Sequence, residues 1–234
     1  MKIVFRCDPA IIDILPKPMP ARDGLPGWLK TMPRAAFSEF HGQQIRTLKQ
    51  CPPFVDAMGA GFLIPLPCDV RVEAGRFAWD WALPPLSLHD HTRSPLSFHV
   101  PAQLAGSPLF AAGRPAIKFN SFWTIELEAG YSLLAMHPVN RLDLPFRLLT
   151  GLVDADQFND IGIFFPALWT DAQFSGVLPK GTPVAQCIPI RRESQELAFE
   201  AISGGKAQSF AAVTKEILST SGVYRRRFRS KRPR

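Results

Sequence analysis

The chain has 234 residues, enough for one β or α+β domain with appended arms, and its hydrophobic fraction of 46% is ordinary for a globular protein. Its 23 prolines disfavour a helical bundle, and no apolar run reaches the roughly 18 residues needed to cross a bilayer as a helix. The net charge of +7 has one source: "RRRFRSKRPR" carries seven of the 27 Lys and Arg, leaving 20 against 20 Asp and Glu.

The start, "MKIVFRCDPAIIDILPKPMP", has a brief basic end but no sustained apolar region and no small-residue cleavage site. That pattern argues against a signal peptide and for a cytoplasmic protein. Residues 1–50 read as an arm over the body, because Pro16, Pro18, Pro20, Pro26 and Pro33 favour extended and turn backbone. Within it, "LPGWLKTMP" predicts one helical turn with Trp28 and Leu29 as anchors. "EFHGQQIRTLKQ" predicts a short helix.

Residues 51–194 read as a β-rich core. "DVRVEA" alternates, with Val70 and Val72 on one face and Arg71 and Glu73 on the other. "RFAWDWAL" alternates too, so Phe77, Trp79 and Trp81 share a face. The "EAG" between these runs predicts a hairpin with a glycine in its turn. Then come "AIKFNSFWTIEL", "YSLLAMHPV", "FRLLTGLVDAD", "IGIFFPALW" and "TPVAQCIPI", with Gly130, Gly151 and Gly181 where turns are needed. Strands at such regular spacing predict a sandwich or barrel.

Residues 195–222 are rich in Ala, Glu, Lys and Leu and predict a helical segment, with Gly204 and Gly205 as a break and Gly222 as a stop. Residues 223–234 read as a disordered basic tail, since like charges repel and little apolar surface is available to bury. Such a tail is a solvated end or assembly arm, or it contacts nucleic acid, an acidic lipid surface or an acidic partner. The four cysteines, Cys7, Cys51, Cys68 and Cys187, form no CxxC pair and read as reduced thiols.

The candidate chemistry lies in three places. In "TGLVDADQFNDIGIFF", Asp154 and Asp156 are two residues apart, so strand alternation aims both the same way and permits a shared catalytic site. Two working carboxylates there need one raised pKa, because neighbouring carboxylates resist double ionisation. The alternative is a turn whose aspartates accept backbone N–H bonds. In "HPVNRLDLPF", Asn140 and Arg141 are candidate ligand contacts, Arg141 offering a bidentate fork for carboxylate or phosphate. Asn140 serves equally as a turn residue, and Arg141 with Asp143 as a local ion pair. Lys118 and Gln186 are further candidate ligand contacts. Phe122 and Trp123 read as core or oligomer contacts.

The third place is "SLHDHTRSPLSFHV". His89 and His91 share a face if the stretch is a strand, as in iron or zinc sites, with His99 or His137 as a third ligand. Asp90 then faces away, and the flanking prolines favour a loop, where alternation fails. No nucleophile elbow, P-loop or dinucleotide fingerprint occurs.

"ELEAGYSLL", "TGLVDADQF" and "LPKGTPVAQCIPI" resemble motifs of the β-clip fold of the trimeric deoxyuridine triphosphatase and deoxycytidine triphosphate deaminase superfamily. The resemblance covers about a third of the chain and implies a β-clip topology and homo-oligomers. It also implies that Asp154 faces a base and sugar and orients water, with Asp156 as second acidic position and Phe158 packing on the sugar. The phosphate-gripping Arg-Ser-Gly motif and the Gly-rich C-terminal motif are absent. Across most of its length the chain resembles an uncharacterised family of bacteria, phages and large DNA viruses. The pieces that match are "GLPGWLK", "CPPFVDAMGAGFLIPLP", "KFNSFWTIELEAGYSLLAMHPVNRLDLPF", "GLVDAD" and "GTPVAQCIPIRRE". That family brings no activity.

The expected architecture is mainly β (α+β): a β-clip-like or related sandwich body, an N-terminal arm and a C-terminal helical segment. The expected function is a ligand-binding β module that recognises a nucleotide-like or anionic small molecule. The alternatives are a metal-dependent oxygenase or hydrolase and a structural or assembly protein.

Overall fold

Short strands dominate the chain, and the prolines and glycines between them set their lengths. The computed structural model describes residues 1–86, 93–109 and 115–231. These fall into two units: Met1–Met32 with Asp56–Arg192, and Pro33–Val55 with Glu193–Arg234.

In the first unit a five-stranded antiparallel sheet runs in the order β13 (Gly151–Val153), β11 (Tyr131–Met136), β16 (Pro183–Arg191), β5 (Phe62–Pro65) and β2 (Met19–Pro20). A four-stranded sheet runs β12 (Phe146–Leu148), β14 (Phe164–Trp169), β9 (Ala116–Asn120) and β8 (Leu96–Phe98). A three-stranded sheet holds β15 (Gly176–Leu178), β6 (Val70–Glu73) and β7 (Arg76–Ala78). Finally, β1 (Val4–Arg6) pairs with β10 (Thr124–Glu126).

Strand alternation makes the core. On β11 and β16, Leu133, Ala135 and Cys187 turn inward. They join Ile117, Phe119, Phe146, Phe165 and Trp169 of the four-stranded sheet in one hydrophobic cluster. The Phe119 and Phe146 rings lie 4.7 Å apart, and Phe77 meets Trp169 edge-on at 4.9 Å. Each such buried ring contributes about 2–3 kcal/mol through apolar area removed from water.

The hairpin at "EAG" forms as its residues suggest. Glu73 pairs with Arg76, and both residues between them have positive φ: Ala74 at 47° and Gly75 at 74°. That is a two-residue turn whose twist matches the strands. Val70 and Val72 are buried, Arg71 and Glu73 exposed. The second strand stops at Ala78, short of the alternation expected through Trp81. Trp79 packs on the main cluster. Trp81 instead joins a second cluster with Ile11, Leu15, Phe122 and Trp123, and its indole N–H donates to the Arg93 carbonyl. The two tryptophans are recruited by different cores, so one strand cannot carry both.

Residues 1–32 supply strands and core to the first unit. β2 lies at a sheet edge, where Pro20 needs no N–H partner on its outer side. Helix α1 (Gly27–Thr31) buries Leu29 and leaves Trp28 half-exposed.

In the second unit, "EFHGQQIRTLKQ" is not a helix. β3 (Ala35–Ser38) and β4 (Gln43–Arg46) form a hairpin, followed by a short 3₁₀ turn at Leu48–Gln50. Gly42 sits at φ 63° in the connection, and the Ser38 hydroxyl accepts from the His41 N–H. This local turn chemistry outcompetes helix propensity. Downstream, one helix, α3 (Gly204–Ser219), starts where the glycine pair was expected to break it, and Tyr224–Phe228 makes one wide helical turn within the basic tail.

Candidate functional site

The register of the five-stranded sheet assembles a polar cluster at one end of β11. Leu133 pairs with Val153 and Ala135 with Gly151, so Ser132 falls opposite Asp154 and Gly130 opposite Asp156. On the other flank Tyr131 pairs with Arg191, which brings Arg192 opposite Gly130. Directly opposed residues of an antiparallel pair share a face. Five residues from three strand ends therefore converge, although up to 62 positions separate them in the chain.

Hydrogen bonds fix the arrangement. The Ser132 hydroxyl donates to Asp154 Oδ1 at 2.6 Å, and the Gly130 N–H donates to Asp156 Oδ2 at 2.9 Å. Gly130 holds φ 87°, so the chain turns there without the strain a side chain would meet. The Arg192 guanidinium closes the cluster. Its Nη1 reaches Asp156 Oδ1 at 2.8 Å, the Tyr131 carbonyl at 3.0 Å and Asp154 Oδ1 at 3.3 Å, while Nη2 bonds Asp156 Oδ2.

The two aspartates differ in environment. The Asp156 side chain is 2% exposed, and its two oxygens are gripped by Arg192 and Gly130. The Arg192 hydrogen bonds, then the Gly130 N–H, hold its carboxyl well below the usual carboxylate range, and Arg192 is raised in turn. Asp156 is thus shifted away from the proton-donor condition an acid–base pair requires. The Asp154 side chain is 62% exposed. Its Oδ1 is held by Ser132 and Arg192, and its Oδ2 accepts no hydrogen bond among the described residues.

Beside this polar end the same sheet face carries Leu134, Leu152, Ile188 and Ile190, which are half-buried or exposed. Phe158 follows on the turn after Asp156, where its N–H donates to the Asp154 carbonyl, and its side chain is exposed.

The other candidates lie elsewhere. Asn140 and Arg141 follow the far end of β11, about 13 Å along the strand from Ser132. Asn140 adopts φ 59°, a turn conformation. Arg141 spends its fork on Asp143, with Nε to Oδ1 at 2.8 Å and Nη2 to Oδ2 at 2.9 Å. Burial is the largest influence on the Asp143 carboxyl and pushes it up, but the Arg141 hydrogen bonds and charge, with a backbone and a Trp28 hydrogen bond, together outweigh it and the net shift is downward.

Gln186 is buried, and its amide serves the backbone. Its nitrogen donates to the carbonyls of Ala57 and Ala60 at 2.9 and 2.7 Å, and its oxygen accepts from the Val139 N–H at 2.9 Å. It clamps Ala57, which lies in helix α2 (Pro52–Met58), and the 137–141 loop onto β16, with both donors spent on the fold rather than on a ligand. Lys118 belongs to the four-stranded sheet, where its Nζ lies 5.8 Å from the centre of the Phe164 ring. Phe122 and Trp123 are buried in the second cluster.

His89, Asp90 and His91 lie outside the described residues. His137 has both ring nitrogens engaged: Nε2 lies 2.8 Å from the Arg141 carbonyl oxygen, and Nδ1 lies 3.3 Å from the Leu148 N–H nitrogen. This fixes the neutral tautomer with the proton on Nε2, and burial lowers its pKa. His99 pairs with Gln103. Among the described residues no group of three His, Cys, Asp or Glu is placed to hold a metal. All four cysteines are free, and burial pushes the Cys68 thiol up to about 11.

Ser132 and Arg192 escaped the sequence reading. Arg192 lies two residues past Ile190 in "CIPIRRE", so alternation alone puts it on the same face, but only the β11–β16 register reveals what it faces. Against known protein families, curated proteins and solved structures, the chain finds no match.

Proposed function

We propose that the first unit is a ligand-binding β module of β-clip type, and that a nucleoside-like molecule binds where β11, β13 and β16 end. One observation carries this reading: Asp154 offers an unused carboxylate oxygen while Ser132 and Arg192 lock its other oxygen on a rigid sheet edge. An acceptor so preorganised loses little entropy on binding a hydroxyl or amine donor. Arg192 already pairs with both aspartates, so the ligand's sugar hydroxyl or amine end meets this cluster, not a phosphate. Leu152 and Ile190 supply the apolar floor that small-molecule sites use. The resemblance of "ELEAGYSLL", "TGLVDADQF" and "LPKGTPVAQCIPI" to the nucleotidohydrolase β-clip supports the reading, because these three segments are neighbours in one sheet. Self-association belongs to the same proposal.

Binding is favoured over acid–base hydrolysis by the aspartate pair, since the Arg192 hydrogen bonds hold the Asp156 carboxyl below the usual carboxylate range and away from a proton-donor role. Calorimetric titration of the full chain with nucleosides and nucleotides tests the proposal. Binding is expected to be lost in Asp154→Ala and unchanged in Arg141→Ala. Absence of heat with every nucleoside and nucleotide, or equal loss in both variants, overturns it.

A further inference from the structure

The second unit presents two features that a neutral, polar environment leaves unsatisfied. The first is charge. Pro33–Val55 and Glu193–Arg234 together hold 12 Lys and Arg against five Asp and Glu, while the first unit holds 15 of each. The whole net charge of +7 therefore sits in this unit. The second is apolar exposure. Helix α3 buries none of its side chains. Phe210, Ala211, Thr214, Ile217 and Leu218 recur at helical spacing and form one stripe, with Phe210 61%, Ile217 54% and Leu218 82% exposed. Lys215 and Ser219 flank the stripe. Phe199, in the extended approach to the helix, is 92% exposed. The Arg225–Arg227 run begins after the four residues that follow the helix's C-cap, Thr220, and Arg227 pairs with Glu216 on the helix itself.

We propose that this unit docks on anionic lipid bilayers, with α3 lying in the plane of the interface and the basic run on the headgroups. At about 24 Å, the 16-residue helix is long enough to lie along a membrane surface. Among the described residues no helix is long and apolar enough to cross a bilayer. The choice of occupant follows from chemistry. A nucleic acid neutralises arginines and stacks bases on phenylalanines, but it does not cover aliphatic side chains such as Ile217 and Leu218. A second copy of the chain brings a neutral first unit and an equally basic second one, so it leaves the charge unanswered. An anionic bilayer takes both: acyl chains accept the stripe and headgroups accept the arginines. This inference is independent of the ligand site in the first unit.

Co-sedimentation of the full chain with vesicles of phosphatidylcholine, with and without phosphatidylserine, tests it. Pelleting is expected only with phosphatidylserine, and molar salt, which shortens screening to about 3 Å, is expected to release the protein. Replacing the run by Arg225→Gln, Arg226→Gln and Arg227→Gln is expected to weaken binding about a hundredfold, at roughly tenfold or less per charge. The pair Ile217→Ser and Leu218→Ser is expected to abolish pelleting without moving the thermal melt, since both side chains are exposed. Equal pelleting without phosphatidylserine overturns the proposal. So does pelleting that survives the serine pair. Binding of a single-stranded oligonucleotide without vesicle binding overturns it in favour of nucleic acid, and self-association lost with the serine pair, again without vesicle binding, overturns it in favour of a second copy.

Discussion

The two units of this chain treat their apolar side chains in opposite ways. The first hides Phe119, Phe146 and Phe165 almost completely and carries no net charge; the second leaves Phe40, Phe199 and Leu218 in solvent and carries all of it. Burial of apolar area is the main favourable term in folding, so the first unit accounts for its own stability. The second buries Val223 but leaves the apolar stripe of α3 open, the surface that the proposed bilayer would cover.

That contrast is most sharply broken or upheld by paired substitutions. Phe119→Ala removes a ring packed at 4.7 Å against Phe146 and is expected to cost about 3–5 kcal/mol, from lost transfer energy and a residual cavity. Phe210→Ala on α3 is expected to stay within about 0.5 kcal/mol, as exposed positions do. Chemical denaturation of the full chain reads both. Equal costs would show that α3 has a packed partner in solution.

Next in size is Gln186→Leu. The substitution removes the partner of the Val139 N–H and of the carbonyls of Ala57 and Ala60 in a partly buried place, each worth about 1 kcal/mol. A loss of about 2–3 kcal/mol is expected, read as a lower denaturation midpoint at unchanged slope. A loss below about 0.5 kcal/mol would show that the glutamine is not a clamp but a residue held available for a ligand.

How far the sequence carried these conclusions follows from the range of each interaction. The Val70–Arg76 hairpin was legible because its signals are local: alternation on one strand and a glycine turn. The mostly β character was legible for the same reason. The Asn140 turn and the Arg141–Asp143 pair were legible as alternatives, being contacts within three residues. The Ser132–Asp154–Asp156–Arg192 cluster was not, because it depends on which strands pair and in what register, and no local pattern encodes that. Residues 39–50 read as a short helix because Gln43, Gln44 and Arg46 are tolerable helix formers, but the Gly42 turn and the β3–β4 pairing of Ala35 to Arg46 decide against it.

Asp156 gives a subtler test, through pH. Its folded pKa is depressed by Arg192 and Gly130, so the stability it contributes is fully present above the unfolded value of about 3.9 and is lost as pH falls below it toward the folded value. Asp156→Asn is therefore expected to destabilise the protein at neutral pH, with the gap to wild type closing in acid below about 3.9. Melts between neutral pH and acid check the sign. A gap that widens on acidification would mean that Asp156 takes up its proton above the normal range and acts as an acid after all.

The smallest expected effect lies at the most exposed corner of the well-packed unit. Ala74 holds φ 47° in the two-residue turn between β6 and β7, a conformation that costs an alanine about 1–2 kcal/mol. Asparagine tolerates left-handed backbone and, followed by Gly75, makes the pairing most favoured for such turns. Ala74→Asn is expected to raise stability by roughly 0.5–1 kcal/mol, short of the full strain because the unfolded chain also changes. Val70 and Val72 lie inward on the adjoining strand, so a firmer turn tightens the edge of a core that is already formed. A rise of about 1–4 °C in the melting temperature is the readout at this size of domain. A fall would mean that the turn leaves the left-handed region in solution, and that the register Glu73 to Arg76 is set by the valines and not by the turn.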